Sequence, residues 1–201
     1  MSQEEVVIVA GGGANIASLQ YALERLGVPS LASADAVRIR AASHVILPGV
    51  GAAGHAMQQL RRDGLDALIR DLRQPVLGIC LGMQLLYESS AEGPTQCLGL
   101  IPGCARRFVP AAGRPVPHMG WNSLEIAGES PLLAGIGTGD YAYFVHSYSL
   151  PVAAATLATA TYGEAFSACV AWRNFYGTQF HPERSAALGA RVLRNFVTLC
   201  N

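Results

Sequence analysis

Charge is scarce in this chain and evenly divided. The 201 residues carry 14 basic and 14 acidic side chains, for a formal net charge of zero at neutral pH. No Lys/Arg cluster is long enough to follow a phosphate backbone. Arg61-Arg62 and Arg106-Arg107 are pairs only and read as solvated surface, which argues against nucleic acid as a partner. Long apolar runs are missing as well. None approaches the ~20 residues needed to span a bilayer. The first residues, Met1 to Glu5, lack the basic and long apolar segments of a signal peptide. The expectation is no membrane and a cytoplasmic location. Cysteines number five, an odd count, with no C-x-x-C pair. That pattern fits a reducing compartment better than a disulfide framework. No His/Cys/acid cluster has zinc spacing and no G-x-x-x-x-G-K-[ST] string occurs, so neither metal nor cofactor is expected.

What is present is apolar and rich in glycine: 51% hydrophobic residues and 22 glycines. The length suits one domain, residues 1–201, with a full core. The first half alternates strand and helix. Val6–Ala10 reads as a buried strand. Ile16, Leu19, Leu23 and Leu26 recur at helical spacing until Gly27. Strands are expected at Val28–Leu31, His44–Leu47 and Val76–Ile79. Helical patterning runs from Met57 to Leu72 with a break near Gly64, and another helix is expected over Leu81–Glu88. Apolar strands alternating with helices predict a parallel sheet covered on both faces. In the second half, Tyr141–Val145, Thr156–Thr161, Phe166–Trp172 and Phe175–Phe180 predict added antiparallel strands. A final helix is expected from about Ala186 to Leu199. The fold class is therefore α/β: one domain with a central, mostly parallel sheet flanked by helices.

The chemistry centres on Gly78-Ile79-Cys80-Leu81-Gly82-Met83-Gln84. A nucleophile flanked by glycines between strand and helix follows the logic of a nucleophile elbow, with sulfur in place of oxygen. The strand end puts Cys80 at the carboxyl edge of the sheet, where ligands bind. The N–H groups of the next helix favour thiolate. Cys97, Cys104, Cys169 and Cys200 lack such a setting and read as structural. Far downstream stands Gln179-Phe180-His181-Pro182-Glu183. In extended backbone, residues two apart point the same way. Glu183 could then orient the His181 imidazole toward the sulfur, as in other nucleophile–base–orienter sets. His44, His55, His118 and His146 compete for the role of base, but none has a carboxylate within two residues.

Pro48-Gly49-Val50-Gly51 closes another strand on the same edge. Its backbone N–H groups, with that of Leu81, could hold a developing oxyanion; the bland alternative is a tight strand-to-helix turn. Gly49-Val50-Gly51-Ala52-Ala53-Gly54 also matches G-x-G-x-x-G. The next strand ends without the acidic residue that a dinucleotide ribose needs, so NAD is rejected.

Gly-Ile-Cys-Leu-Gly-Met-Gln with a later His-Pro-Glu resembles the class I (triad) glutamine amidotransferases, a flavodoxin-like fold. The resemblance narrows on Pro117-His118-Met119-Gly120-Trp121-Asn122 and Tyr143-Phe144-Val145-His146-Ser147-Tyr148. Those strings are similar to the glutaminase subunits of imidazole glycerol phosphate synthases, which serve histidine biosynthesis. The resemblance implies Cys80 as nucleophile, His181 as acid/base and Glu183 as its orienter. It implies Val50, Gly51 and Leu81 at the oxyanion, and Gly49, Gln84, Ser147 and Tyr148 at the substrate, glutamine. It turns Pro117, Met119, Trp121, Tyr143 and Arg184 toward a partner, a (β/α)₈-barrel cyclase that completes a heterodimer. From the residues alone, Met119 and Trp121 would equally be core and Tyr143 an ordinary strand residue. The sequence departs from the family at Gly11, Gly12 and Gly13, where an acidic residue is usual. Val50, β-branched between two glycines, is a peptide able to turn between productive and idle orientations. Weak glutaminase activity is therefore expected without the partner. Three rivals stand beside this reading: another class I amidotransferase, a stand-alone γ-glutamyl cysteine hydrolase, and a non-catalytic or redox-sensing protein with a reactive Cys80.

Overall fold

A computed structural model of the chain describes residues 5–10 and 16–199. Gly11, Gly12, Gly13 and Cys200 lie outside the described residues. The first half runs β1 (Val6–Val9), α1 (Ile16–Glu24), β2 (Ser30–Ser33), α2 (Ala36–Ala41), β3 (His44–Gly49), α3 (Ala53–Arg62), α4 (Leu65–Asp71), β4 (Val76–Cys80) and α5 (Leu81–Leu85). Every residue of β1, β3 and β4 is buried, as strands covered on both faces require. Their side chains alternate between two cores. Val7, Val9, Val45 and Leu47 join one, and Val6, Ile8, Ile46, Leu77 and Ile79 the other. Gly64 takes φ +68° between α3 and α4, a turn that glycine makes without steric cost.

The second half runs β5 (Tyr87–Ser90), β6 (Thr95–Gln96), β7 (Ile101–Arg107), β8 (His118–Ser123), β9 (Glu125–Ile126), β10 (Tyr141–His146), β11 (Tyr148–Ser149), β12 (Thr156–Tyr162), β13 (Glu164–Trp172), β14 (Phe175–Thr178) and α6 (Ala186–Val197). The main sheet has eight strands in the order β2-β1-β3-β4-β14-β13-β12-β9. From β2 to β14 neighbours are parallel; from β14 to β9 they are antiparallel. The remaining strands form a β8–β10 ribbon and a small sheet of β11, β7, β5 and β6. The α/β class with a mostly parallel sheet is as the sequence pattern predicts. Among the described residues no helix is long and apolar enough to cross a membrane.

Two local expectations need correction, and one helix is unexpected. The second strand is Ser30–Ser33 rather than Val28–Leu31. Val28 is held by the end of α1, its N–H donating to Leu23, and pairing with β1 starts at Val6↔Ser30. The helix after Cys80 stops at Leu85 instead of Glu88, because Tyr87–Ser90 is drawn into β5 and pairs with β7. All five residues of α5 are buried, so it has no polar stripe from which its length could be read. An unpredicted helix, α2, begins where the Asp35 carboxylate accepts the Val37 N–H at 2.8 Å.

Candidate functional site

Strand register gathers three distant segments at one sheet edge. Gly49 pairs with Cys80 across β3 and β4, and Thr178 pairs with Ile79 across β14 and β4. The residues after β14 therefore leave the sheet beside Cys80. Cys80 itself adopts φ 53° and ψ −112°, a conformation that L-residues rarely enter and that tertiary packing must hold. This is the sharp turn expected of a nucleophile elbow. Close backbone packing fixes it. A Cβ on Gly49 would lie 2.6 Å from the Gly82 nitrogen, and one on Gly82 would run into the Leu47 carbonyl. The first glycine of the G-x-G-x-x-G match thus serves strand–helix contact.

Cys80 is 7% exposed and borders a cavity of about 400 Å³. Gly49, Val50, Gly51, Leu81, Gln84, Pro117, Ser147, Tyr148, His181, Glu183 and Arg184 line the same cavity. The His181 Nδ1 lies 2.9 Å from Glu183 Oε1. The geometry differs from the expected extended pair. His181 caps a short 3₁₀ turn, Pro182–Arg184, and the turn curls the carboxylate back to the ring. Burial alone would lower the His181 pKa, but hydrogen bonds to Cys80 and Glu183 and their negative charges outweigh it and raise it to about 10. The imidazole can therefore hold a proton at neutral pH next to the sulfur.

Two of the competing histidines are disposed of by position, and the other two by their partners and burial, although His146 borders the cavity. His44 Nε2 bonds the Leu199 carbonyl at 2.9 Å, away from the cavity, and His55 is solvent-exposed on α3. His118 and His146 form a buried pair, Nδ1 to Nε2 at 3.1 Å. Burial depresses both, to about 4 for His118 and about 3 for His146. For His146, the bond to Tyr148 opposes the drop and the charges of His118 and His181 add to it. Both rings are neutral at pH 7.

Met119, Trp121 and Tyr143 stay outside the cavity, on the face of the β8–β10 ribbon opposite the buried Ala142 and Phe144. Met119 is 63% and Trp121 52% exposed, which removes the core alternative for both. Trp121 and Tyr143 are cross-strand partners with ring centroids 5.8 Å apart, and the Arg184 guanidinium sits 5.2 Å from the Tyr143 ring.

Two residues that sequence reasoning passes over belong to the site. Glu92, in the loop after β5, lines the cavity while its Oε2 accepts the Ala53 N–H at 2.8 Å. Nothing in its local sequence marks it. Gln179 is fully buried, and its Nε2 donates to Cys80 Sγ at 3.7 Å. Its place beyond the carboxyl end of a strand beside β4 is the available signal. Gln84, expected at the substrate, already donates through Nε2 to the Tyr148 carbonyl at 2.8 Å and to Gln179 Oε1 at 2.9 Å. Its carbonyl oxygen is left for a ligand. Among the described residues no group of three or more His, Cys, Asp or Glu side chains could hold a metal ion.

Compared with known families, the chain matches glutamine amidotransferase class-I over residues 14–200. It is 52% identical over 195 residues to imidazole glycerol phosphate synthase subunit HisH of Xanthomonas axonopodis pv. citri, covering 97% of this chain and 98% of that protein. The HisH protein of Xylella fastidiosa (strain Temecula1) is 51% identical with the same coverage. Among solved structures, one described as a glutamine amidotransferase aligns with a TM-score of 0.73 at 22% identity, covering 96% of both chains. PurLQS of Thermotoga maritima aligns at 0.71 with 18% identity, covering 97% of this chain and 98% of that one. At such low identity these two show a common fold.

Proposed function

The chain belongs to the class-I glutamine amidotransferases, and from that premise we infer that it is the glutaminase subunit of an imidazole glycerol phosphate synthase in histidine biosynthesis. It hydrolyses glutamine to glutamate and ammonia and passes the ammonia to a cyclase subunit. The observation that carries the chemistry is the single cavity bordered by the Cys80 sulfur, the His181 ring and the Glu183 carboxylate. The high identity to the HisH proteins over nearly the whole chain carries the choice of pathway.

The Cys80 sulfur, as thiolate, attacks the side-chain amide carbon of glutamine. Backbone N–H groups near Val50, Gly51 and Leu81 receive the oxyanion. His181 gives its proton to the departing nitrogen, and ammonia leaves behind a γ-glutamyl thioester. Water enters with His181 as base, and glutamate is released with the thiolate restored. Glu183 holds the ring and stabilises the imidazolium. Glu92, the cavity carboxylate not joined to His181, takes the substrate ammonium; Gly49, Gln84, Ser147 and Tyr148 complete the substrate contacts. Ammonia released into bulk water would be protonated and lost as a nucleophile. The Pro117, Met119, Trp121, Tyr143 and Arg184 surface therefore closes against the partner, a (β/α)₈-barrel cyclase in the cytoplasm. The reading is tested with Cys80→Ser in the assembled pair: glutamine-dependent product disappears and ammonium-dependent product persists. Loss of both would assign Cys80 to folding or assembly and end the proposal.

A further inference from the structure

The Tyr148 carbonyl oxygen can only accept, and that fact sets the direction of every hydrogen bond in a buried chain ending on the nucleophile. His146 Nδ1 lies 2.8 Å from this oxygen, so Nδ1 carries the proton. A neutral His146 then offers Nε2 as an acceptor, and His118 Nδ1, 3.1 Å away, must be the donor. The remaining His118 nitrogen, Nε2, accepts from Asn122 Nδ2 at 3.4 Å; Asn122 Oδ1 is already occupied by the Ser123 N–H at 2.9 Å. On the other side, Gln84 must present its amide nitrogen to the same Tyr148 oxygen, at 2.8 Å. That nitrogen also reaches Gln179 Oε1 at 2.9 Å. Gln179 is thus locked with its oxygen toward Gln84 and its NH₂ toward Cys80 Sγ, at 3.7 Å. The flip of both amides follows from the network.

Besides its bond with His181, the sulfur meets the Val145 carbonyl at 3.6 Å. A carbonyl can accept from a thiol but offers nothing to a thiolate. The Gln179 N–H survives ionisation, as does the bond from His181, whose proton leaves with the ammonia during turnover. The amide's contribution matters because α5, the helix whose N-terminus faces Cys80, has five residues, which aligns few peptide dipoles. The titratable groups around the sulfur are His181 directly, Glu183 behind it, His146 and Tyr148 from the strand side, and Glu92 and Arg184 across the cavity. None of them replaces a neutral donor fixed against the sulfur.

We propose that Gln179 is a further catalytic residue, whose side-chain amide donates to the Cys80 sulfur and holds it ionised toward the cavity, with Gln84, His146 and His118 as the positioning residues that keep that amide in register. The role in turnover rests on the glutaminase reading above; the effect on the sulfur does not. Gln179→Met removes the donor at similar volume. Gln179→Glu keeps the acceptor for Gln84 but turns an anionic oxygen toward the sulfur.

The test measures the rate at which iodoacetamide alkylates Cys80 in the full chain, read by peptide mass mapping. It is paired with kcat and KM for glutamine on the same proteins assembled with the cyclase. A hydrogen bond to a charged group carries a factor of about 10 to 100. Gln179→Met is therefore expected to slow alkylation and kcat about 10-fold, with KM nearly unchanged. Gln179→Glu is expected to slow both about 100-fold. A Met variant that reacts and turns over like the parent, or a Glu variant no slower than the Met variant, reduces Gln179 to packing and overturns the proposal. If neither variant folds, His118→Phe serves instead. It lies off the cavity and preserves stacking on Phe144 and Tyr162. Several-fold slower alkylation is expected, and an unchanged rate overturns the chain of bonds. If the parent pair releases no glutamate, the glutaminase reading fails while alkylation still judges Gln179.

Discussion

The backbone N–H of His181 donates to the carbonyl oxygen of Tyr143 at 2.9 Å. One residue thereby joins two surfaces. The Tyr143 carbonyl holds the loop that carries the imidazole, while its ring packs against Trp121 and Arg184 on the outer face of the ribbon. A partner seated on that face would press on an element bonded directly to the loop that carries His181.

Trp121→Ala is expected to weaken cyclase binding about 30-fold, the scale of an interfacial hot spot. The indole is 52% exposed in the free chain, so its loss leaves thermal stability nearly unchanged. Titration calorimetry with the cyclase, alongside a melting curve, checks both. Unaltered affinity would move the partner to another face.

Glu183→Gln keeps the shape of the 3₁₀ turn and removes the charge 2.9 Å from the His181 ring. The imidazolium loses both a hydrogen-bond acceptor of full charge and its counter-ion. Glutaminase kcat in the assembled pair is expected to fall about 100-fold, within the range for general acid–base catalysis. Ammonium-dependent cyclisation is expected to stay intact. A kcat within twofold of the parent would take Glu183 out of the mechanism.

Stability should peak near pH 6.5. His181 is raised from its ordinary value of about 6.5 to about 10. Between those values the folded chain holds a proton that the unfolded chain has released. Its contribution is complete below about pH 6.5 and is lost as pH climbs through about 10. His118 and His146, depressed to about 4 and about 3, act in the opposite sense. There the unfolded chain binds protons that the fold excludes, so stability is lost as pH falls from about 6.5 through those values. Urea midpoints across pH 4–10 are expected to fall on both sides. His181→Gln should flatten the alkaline side only. An alkaline fall that persisted in this variant would have another origin.

Gly82→Ala should destabilise the chain by at least ~2 kcal/mol, as forced overpacking does. Its methyl group would meet the Leu47 carbonyl, a backbone atom within the buried strand β3. Denaturant unfolding measures the cost. A stability equal to the parent would mean that β3 and α5 can separate without penalty.

Much of this is legible in the sequence because it is local. The buried runs Val6–Val9 and Val76–Cys80 declare interior parallel strands. Cys80 between two glycines declares a sharp turn that presents its sulfur. His181 and Glu183 are close enough in the chain to meet through almost any turn, so the pair is legible even though its backbone curls where an extended segment is expected. The end of α5 is not legible. A helix buried on every side has no amphipathic period, and its length is decided by strand pairing between β5 and β7.

The chain order by itself determined the fold class, the sharp turn at Cys80 and the histidine–carboxylate pair, since each follows from short-range pattern and stereochemistry. Only the tertiary structure decided that Trp121 and Met119 face solvent, that Glu92 reaches the cavity, and that Gln179 touches the sulfur. These depend on which strands become neighbours and in what register. Setting β14 beside β4 brings residues a hundred positions apart into hydrogen-bond range. No local run of residues encodes that juxtaposition, because its free energy comes from burying whole sheet faces at once.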